Sequence, residues 1–290
     1  MAIFLEDMLT LGGVLILAAC VFYGLYQHFR SYQHIDLFRQ SMGQGDYETA
    51  LATIQTTLNL NPYAGYSYLQ QAQVYIKLRS YEAALQSYNQ ALRYAKAGDE
   101  ASIYAGRSSV YICLEKYDQA LVDANHAIAC DRHAWYAYVA RGHTYLGLNH
   151  PKIALEDFEQ ARQLSIETKA PICYGLALTL YNLEDYQTAR NWAQQAAALD
   201  SENAEASTLL GGILIGCGQF EEASQRLELA LNLNPELARI YFQRGRLYMA
   251  QARYSEAISE LTKSTKMRQP RKERQEAQNL LATALRHQQL

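Results

Sequence analysis

The sequence predicts an all-α fold: an array of repeats behind a single N-terminal transmembrane helix. Three observations predict it. A run of 19 residues without a charge, Met8 to Tyr26, stands near the N-terminus. From Tyr47 onward, an aromatic residue followed three places later by alanine recurs with a period near 34 residues. The composition, 49% hydrophobic and 19% charged with only 5 Pro and 16 Gly, suits a packed chain and excludes disordered, collagen-like or linker-dominated architectures.

The N-terminal segment, residues 1–7, ends on the acidic Glu6 and Asp7. The anchor is predicted over residues 8–29. At helical rise its uncharged run covers about 28 Å, close to the hydrocarbon thickness of a bilayer. Tyr23, Tyr26 and Phe29 stand at its far end, where amphipathic rings suit the interface. A cleaved signal peptide would carry a positive n-region, and there is no Lys or Arg here. Leu17-Ala18-Ala19-Cys20 resembles a lipobox, but the acidic lead-in and the apolar Val21-Phe22-Tyr23 after the cysteine favour a permanent anchor. Arg30 and Arg39 follow the span and no cation precedes it. The positive-inside rule therefore places the remainder of the chain in the cytoplasm.

The repeats come next. The aromatic/alanine pairs are Tyr47/Ala50, Tyr81/Ala84, Tyr117/Ala120, Tyr186/Ala189, Phe220/Ala223 and Tyr254/Ala257, with Pro151/Ala154 in the gap. Successive alanines lie 34, 36, 34, 35, 34 and 34 residues apart. Further small and large residues keep the same register: Tyr68, Tyr104, Tyr138 and Tyr241 at position 4, and Ala72, Ser108, Gly142, Ala177, Gly211 and Gly245 at position 8. Tyr75, Tyr111, Tyr145 and Tyr248 hold position 11, Ala91, Ala127, Ala161, Ala196 and Ala230 position 27, and Pro62 and Pro235 position 32. On these residues the chain resembles the tetratricopeptide repeat family, whose unit is a 34-residue helix–turn–helix. The resemblance sets seven units at 31–64, 65–98, 101–134, 135–168, 170–203, 204–237 and 238–271, the first matching least well.

The pattern has a physical reading. Small residues let two antiparallel helices approach, large ones fill the space around them, and each pair must stack on a neighbour to bury its apolar face. Fourteen of the 23 tyrosines fall at positions 4, 11, 17 and 24, which accounts for most of their excess over 7 Phe. Residues 272–290 are predicted as a C-terminal capping helix, with Ala277, Leu280, Leu281, Ala284 and Leu285 on one face.

No catalytic, metal or cofactor constellation stands out, and the chain is expected not to be an enzyme. GxSxG, HExxH and phosphate-loop patterns are absent. Gly211-Gly212 falls within a predicted helix, where it suits close packing. His126, Cys130 and His133 run off a helix end without a fourth ligand, and the five scattered cysteines form no CxxC pair. A net charge of −3 and a pI near 6.2 give no nucleic-acid footprint, and no small-molecule substrate is implied.

The resemblance implies a right-handed superhelix whose concave groove is lined by the first helix of each repeat. The groove positions hold Tyr66, Leu69, Gln73, Ile76, Tyr136, Val139, His143, Leu146, Tyr174, Leu178, Tyr181, Phe242 and Arg246. This surface is largely apolar and aromatic, a chemistry suited to a protein client. The Lys and Asn of the family's basic clamp are missing at positions 5 and 9, which disfavours an acidic chaperone tail as the ligand. Arg107, Arg141 and Arg244 share position 7, where pairing with neighbouring carboxylates is favoured over a ladder for an acidic ligand. Residues 263–290 carry seven Lys/Arg against Glu273 and Glu276, a net +5 open to acidic partners or anionic lipid.

The expected function is thus a membrane-anchored scaffold or adaptor that docks a client for the assembly of a membrane complex or pathway. Arg (18) and Gln (25) far exceed Lys (8), a bacterial balance. The layout is similar to cyanobacterial membrane-anchored repeat proteins that assist photosystem assembly or pigment synthesis at the thylakoid. The alternative is a periplasm-facing lipoprotein adaptor in envelope or pilus assembly, acylated at Cys20.

Overall fold

In a computed structural model, residues 36–288 are described. The predicted anchor, residues 8–29, lies outside them, as do residues 1–7 and residues 31–35 of the first predicted repeat. Among the described residues, no helix is long and apolar enough to cross a membrane. Those residues form fifteen helices and no strand. The first, α1, is helical over 36–44. It is followed by α2 (Tyr47–Leu60), α3 (Gly65–Lys77), α4 (Tyr81–Arg93), α5 (Glu100–Cys113), α6 (Tyr117–Cys130), α7 (Trp135–Gly147) and α8 (Pro151–Leu164). Then come α9 (Ala170–Asn182), α10 (Tyr186–Leu199), α11 (Ala204–Gly216), α12 (Phe220–Leu233), α13 (Ala238–Ala250), α14 (Tyr254–Lys266) and α15 (Arg271–Gln288). The chain divides into two compact units, with the boundary between Ile103 and Tyr104.

One turn chemistry recurs between the two helices of each pair. Gly45, Arg79, Glu115, Asn149, Glu184, Gly218 and Ala252 all take left-handed backbone, with φ between 55 and 75°. Around Arg79, the Ser80 N–H donates to the Tyr75 carbonyl (2.8 Å) and the Arg79 N–H to the Ile76 carbonyl (3.0 Å). The same two bonds recur around the other six residues. This is the Schellman cap, which satisfies the carbonyls orphaned at a helix C-terminus. It reverses the chain in three residues, so consecutive helices lie against each other.

The return turn is built by Asn or Asp. Asn61, Asp131 and Asn234 each accept from the backbone N–H two residues on, at 3.1, 2.8 and 3.1 Å. The tyrosines at position 4 close the same turn from above. The hydroxyls of Tyr68, Tyr138 and Tyr241 donate to the carbonyls of Pro62, Arg132 and Pro235, at 3.2, 3.2 and 2.9 Å.

Packing follows the small residues. Ala50, Ala84, Ala120, Ala154, Ala189, Ala223 and Ala257 are each 0% exposed. In unit 1 the core gathers Phe38, Ala50, Ile54, Leu58 and Val74. In unit 2 successive helices pack in series from α6 through α15, and α7, α9, α11, α13 and α15 also touch in turn. Phe158 of α8 is fully buried and lies over Gly142 of α7 and Gly175 of α9. A Cβ at Gly175 would come within 2.1 Å of that ring.

Five of the seven left-handed turn positions carry a residue with a Cβ, which costs about 1–2 kcal/mol each relative to glycine. Ala252→Gly is therefore expected to raise the urea midpoint of unit 2, by about 0.5–1 kcal/mol of stability, and Gly218→Ala to lower it by a similar amount. Equal midpoints for both variants and the parent would contradict this account of the turn.

Candidate functional site: the A-helix faces

The first helix of each pair presents the residues that the sequence assigns to the groove. In unit 1 they lie on α3. Tyr66 is 64% exposed, Gln73 is exposed, and Leu69 and Ile76 are half-buried. Leu60 (48%) and Tyr63 (71%) are exposed at the adjoining turn. Tyr63 meets Tyr94 edge-on at 5.4 Å, and Tyr68 stacks on the same ring at 5.9 Å, so the turn has a rigid aromatic floor. Gly65 supplies the close approach: a Cβ there would lie 2.4 Å from the Tyr94 carbonyl oxygen.

In unit 2 the corresponding face is largely covered. Val139 is buried, while Tyr136, Leu146, Leu178 and Phe242 are half-buried. His143 of α7 meets the Phe158 ring edge-on at 5.0 Å and lies 6.3 Å from Tyr174 of α9. Burial pushes the His143 imidazole down to about 4 and the Tyr174 phenol up to about 12. Helix α11 is buried along Ala206–Ile215. Its small residues let α13 reach across to α9: Gln243 packs against Gly212, where a Cβ would come within 2.8 Å of it.

That reach assembles a polar–aromatic row that the sequence reading did not identify. Arg239 donates to the Tyr174 hydroxyl (3.4 Å) and forms an ion pair with Glu273 of α15. Gln243 donates to the Tyr181 hydroxyl (3.3 Å). Arg246 also donates to that hydroxyl and to Gln243 Oε1 (2.9 Å), with its guanidinium 5.5 Å from the Tyr181 ring centre. Of the predicted residues, the structure thus brings Tyr181 and Arg246 into direct contact, and His143 and Tyr174 into ring contact. The pairings of Arg239, Gln243 and Glu273 carried no signal in the sequence, because each partner lies a repeat or more away.

The position-7 arginines are engaged internally. Arg107 holds Asp123 and Arg141 holds Asp157, both with closest contacts of 2.7 Å, and Arg244 lies 3.5 Å from Glu260. In the second repeat the same two positions carry Gln71 and Ser87, hydrogen-bonded at 2.8 Å. Asp123 and Asp157 are only 3% and 5% exposed, so these pairs tie each first helix to its own second helix. His126 lies on Tyr104 at 5.2 Å, and the His133 backbone N–H donates to Asp131 Oδ1.

Models of the tetratricopeptide repeat match residues 35–101, 180–240 and 238–270, together more than half of the chain. The chain belongs to the tetratricopeptide repeat family. No curated protein matches it. Among solved structures it is similar to a tetratricopeptide repeat protein from Parabacteroides merdae, with TM-score 0.59 and 18% identity over 88% of this chain and 99% of that one. It is also similar to the Cut9–Hcn1 hetero-tetramer of APC/C, with TM-score 0.68 and 18% identity over 82% of this chain and 48% of that one. A third similarity is to a thermophilic repeat protein of Thermus thermophilus, with TM-score 0.55 and 20% identity over 65% of this chain and all of that one. At these identities the likeness shows the fold. Tetratricopeptide repeat proteins generally act as scaffolds for protein–protein interaction and are typically not enzymes.

Two outcomes test this geometry. Arg141→Leu strands the buried Asp157 carboxylate and is expected to cost about 3 kcal/mol, whereas Arg141→Met with Asp157→Leu costs far less. Urea unfolding reads both, and equal losses would contradict the pairing. The second outcome concerns His143, whose folded pKa of about 4 lies below its ordinary value of 6.5. The unfolded chain therefore takes up the proton first. Stability is full above pH 6.5 and falls as the pH drops towards 4, by up to about 3 kcal/mol. His143→Phe should remove that part of the slope.

Proposed function

We propose that the chain is a membrane-anchored scaffold that docks a protein client on the A-helix faces of its repeats. The observation that carries this reading is the exposed apolar and aromatic edge of α2 and α3. Leu60, Tyr63 and Tyr66, from the end of α2 to the start of α3, are exposed, and Leu69 and Ile76 of α3 are half-buried. Exposed apolar surface of this kind suits an interaction site, and tyrosine supplies contact area at modest entropic cost. The family's general role agrees with it.

Anchoring rests on the uncharged run Met8–Tyr26, and the orientation on Arg30 and Arg39 after it. With the repeats beginning directly after the anchor, the client is held close to an inner or thylakoid membrane, on its cytoplasmic side. Assembly of a membrane complex is the role that suits this placement. The layout and the excess of Arg and Gln over Lys support the photosynthetic version. The competing adaptor reading rests on Leu17-Ala18-Ala19-Cys20, and it requires loss of residues 1–19 and acylation of Cys20.

The test is a tagged pull-down from gently solubilised membranes, with Tyr66→Ser/Ile76→Ser as the comparison. A client present with the parent and lost with the folded variant is the expected result. A client list identical in both would overturn docking on α3. Intact mass of the membrane form distinguishes the anchored chain, at full mass, from the acylated and shortened one.

A further inference from the structure

The N-terminal end of α15 makes contacts that an end cap does not need. The cap itself is apolar: Ala277 and Ala284 are buried, and Leu280 and Leu281 pack with Phe242, Met249 and Ile258. Before that apolar stripe, three consecutive residues reach elsewhere in unit 2. The Arg271 backbone N–H donates to Glu115 Oε1 at 3.1 Å, across 156 residues of sequence. Lys272 Nζ donates to Asn149 Oδ1 at 3.0 Å, across 123 residues. Glu273 pairs with Arg239, which also holds the Tyr174 hydroxyl. Glu115 and Asn149 are the left-handed residues of two A/B turns, so both are fixed by their Schellman caps.

These three contacts join the far end of unit 2 to its beginning, tying α15 to the α5/α6 turn, to the α7/α8 turn and to Arg239 of α13. We propose that residues 271–273 are a releasable strap that holds the face of α7, α9 and α13 shut, so that client access to it requires the strap to open. The inference rests on the scaffold reading and adds its regulation. Glu115, Asn149, Arg271 and Lys272 are exposed, and the Arg239–Glu273 pair is only half-buried. One ion pair, and two hydrogen bonds with a single charged partner each, contribute little individually at such exposure, and salt screens the pair. The closed state is therefore favoured by a small margin, which is what a release step needs. The neighbouring exposed cations Arg268 and Arg274 add positive charge through which an anionic surface can draw the strap away.

The experiment uses the full chain in detergent micelles, carrying Leu178→Cys as a reporter on the α9 face. Alkylation of residue 178 by N-ethylmaleimide is followed by peptide-resolved mass spectrometry. Lys272→Ala with Glu273→Ala is expected to speed alkylation about tenfold, as loss of charge-assisted contacts allows, while Arg286→Ala at the other end of α15 leaves it unchanged. With the strap intact, raising the salt concentration should speed alkylation in the same direction, and the double variant should lose that response. A rate at residue 178 that ignores both the double variant and salt overturns the strap. The salt titration needs no strap substitution, so misfolding of the double variant does not blunt the test. No client is required, so failure of the pull-down bears on the scaffold reading alone.

Discussion

Everything in this fold depends on how closely two antiparallel helices can approach. The alanines at position 20 set that distance, and all seven are 0% exposed. Interior packing is dense enough that one added methylene at such a contact is felt. Once the helices lie this close, the space beside them must be filled by large side chains. Phe158, seated between Gly142 and Gly175, shows the complementary arrangement of one large ring against two absent side chains. Polar residues are added where they can be satisfied, as in the buried Asp123 and Asp157 under their arginines. The repeat period is the consequence of placing the same contact every 34 or so residues.

The same economy shapes the two faces differently. On α3, Tyr66 is left exposed by the described residues of unit 1. In unit 2, α11 carries Gly212 where the other repeats carry Arg39, Gln73, Ser109, His143, Leu178 and Arg246, and α13 closes over it onto α9. The face there becomes a row of arginine, glutamine and tyrosine side chains that satisfy one another. Binding on such a row exchanges internal hydrogen bonds for external ones, whereas binding on α3 covers surface that is bare. An open face and a guarded one thus arise from one repeat by changes in side-chain size.

Much of this was legible in the sequence, because it is written at fixed intervals. The position-20 alanines, the tyrosines at position 4 and the apolar stripe of α15 all repeat or alternate with helical spacing. The seven left-handed turn residues were not legible, since only Gly45 and Gly218 advertise themselves and the other five are Arg, Glu, Asn, Glu and Ala. Nor were Arg239–Tyr174 and Gln243–Tyr181, which join residues 65 and 62 apart and exist only because α11 is thin enough for α13 to pass. Sequence position assigned Leu178 and Tyr181 to an interaction face but carried no information on what covers that face. Local pattern encodes the repeat, while the curvature between repeats is a sum of small packing differences that no single residue announces.

The most direct test of the central constraint is amide hydrogen exchange on Ala154→Met. Its side chain has no room between α7 and α8. Because repeat arrays are coupled to their neighbours, the loss should spread. Faster exchange in α7 and α8 that extends into α6 and α9, with α2 and α3 of unit 1 unchanged, is the predicted result. Exchange identical to the parent, or a change confined to α8 alone, would contradict the claim that close helix approach at this alanine holds the stack together.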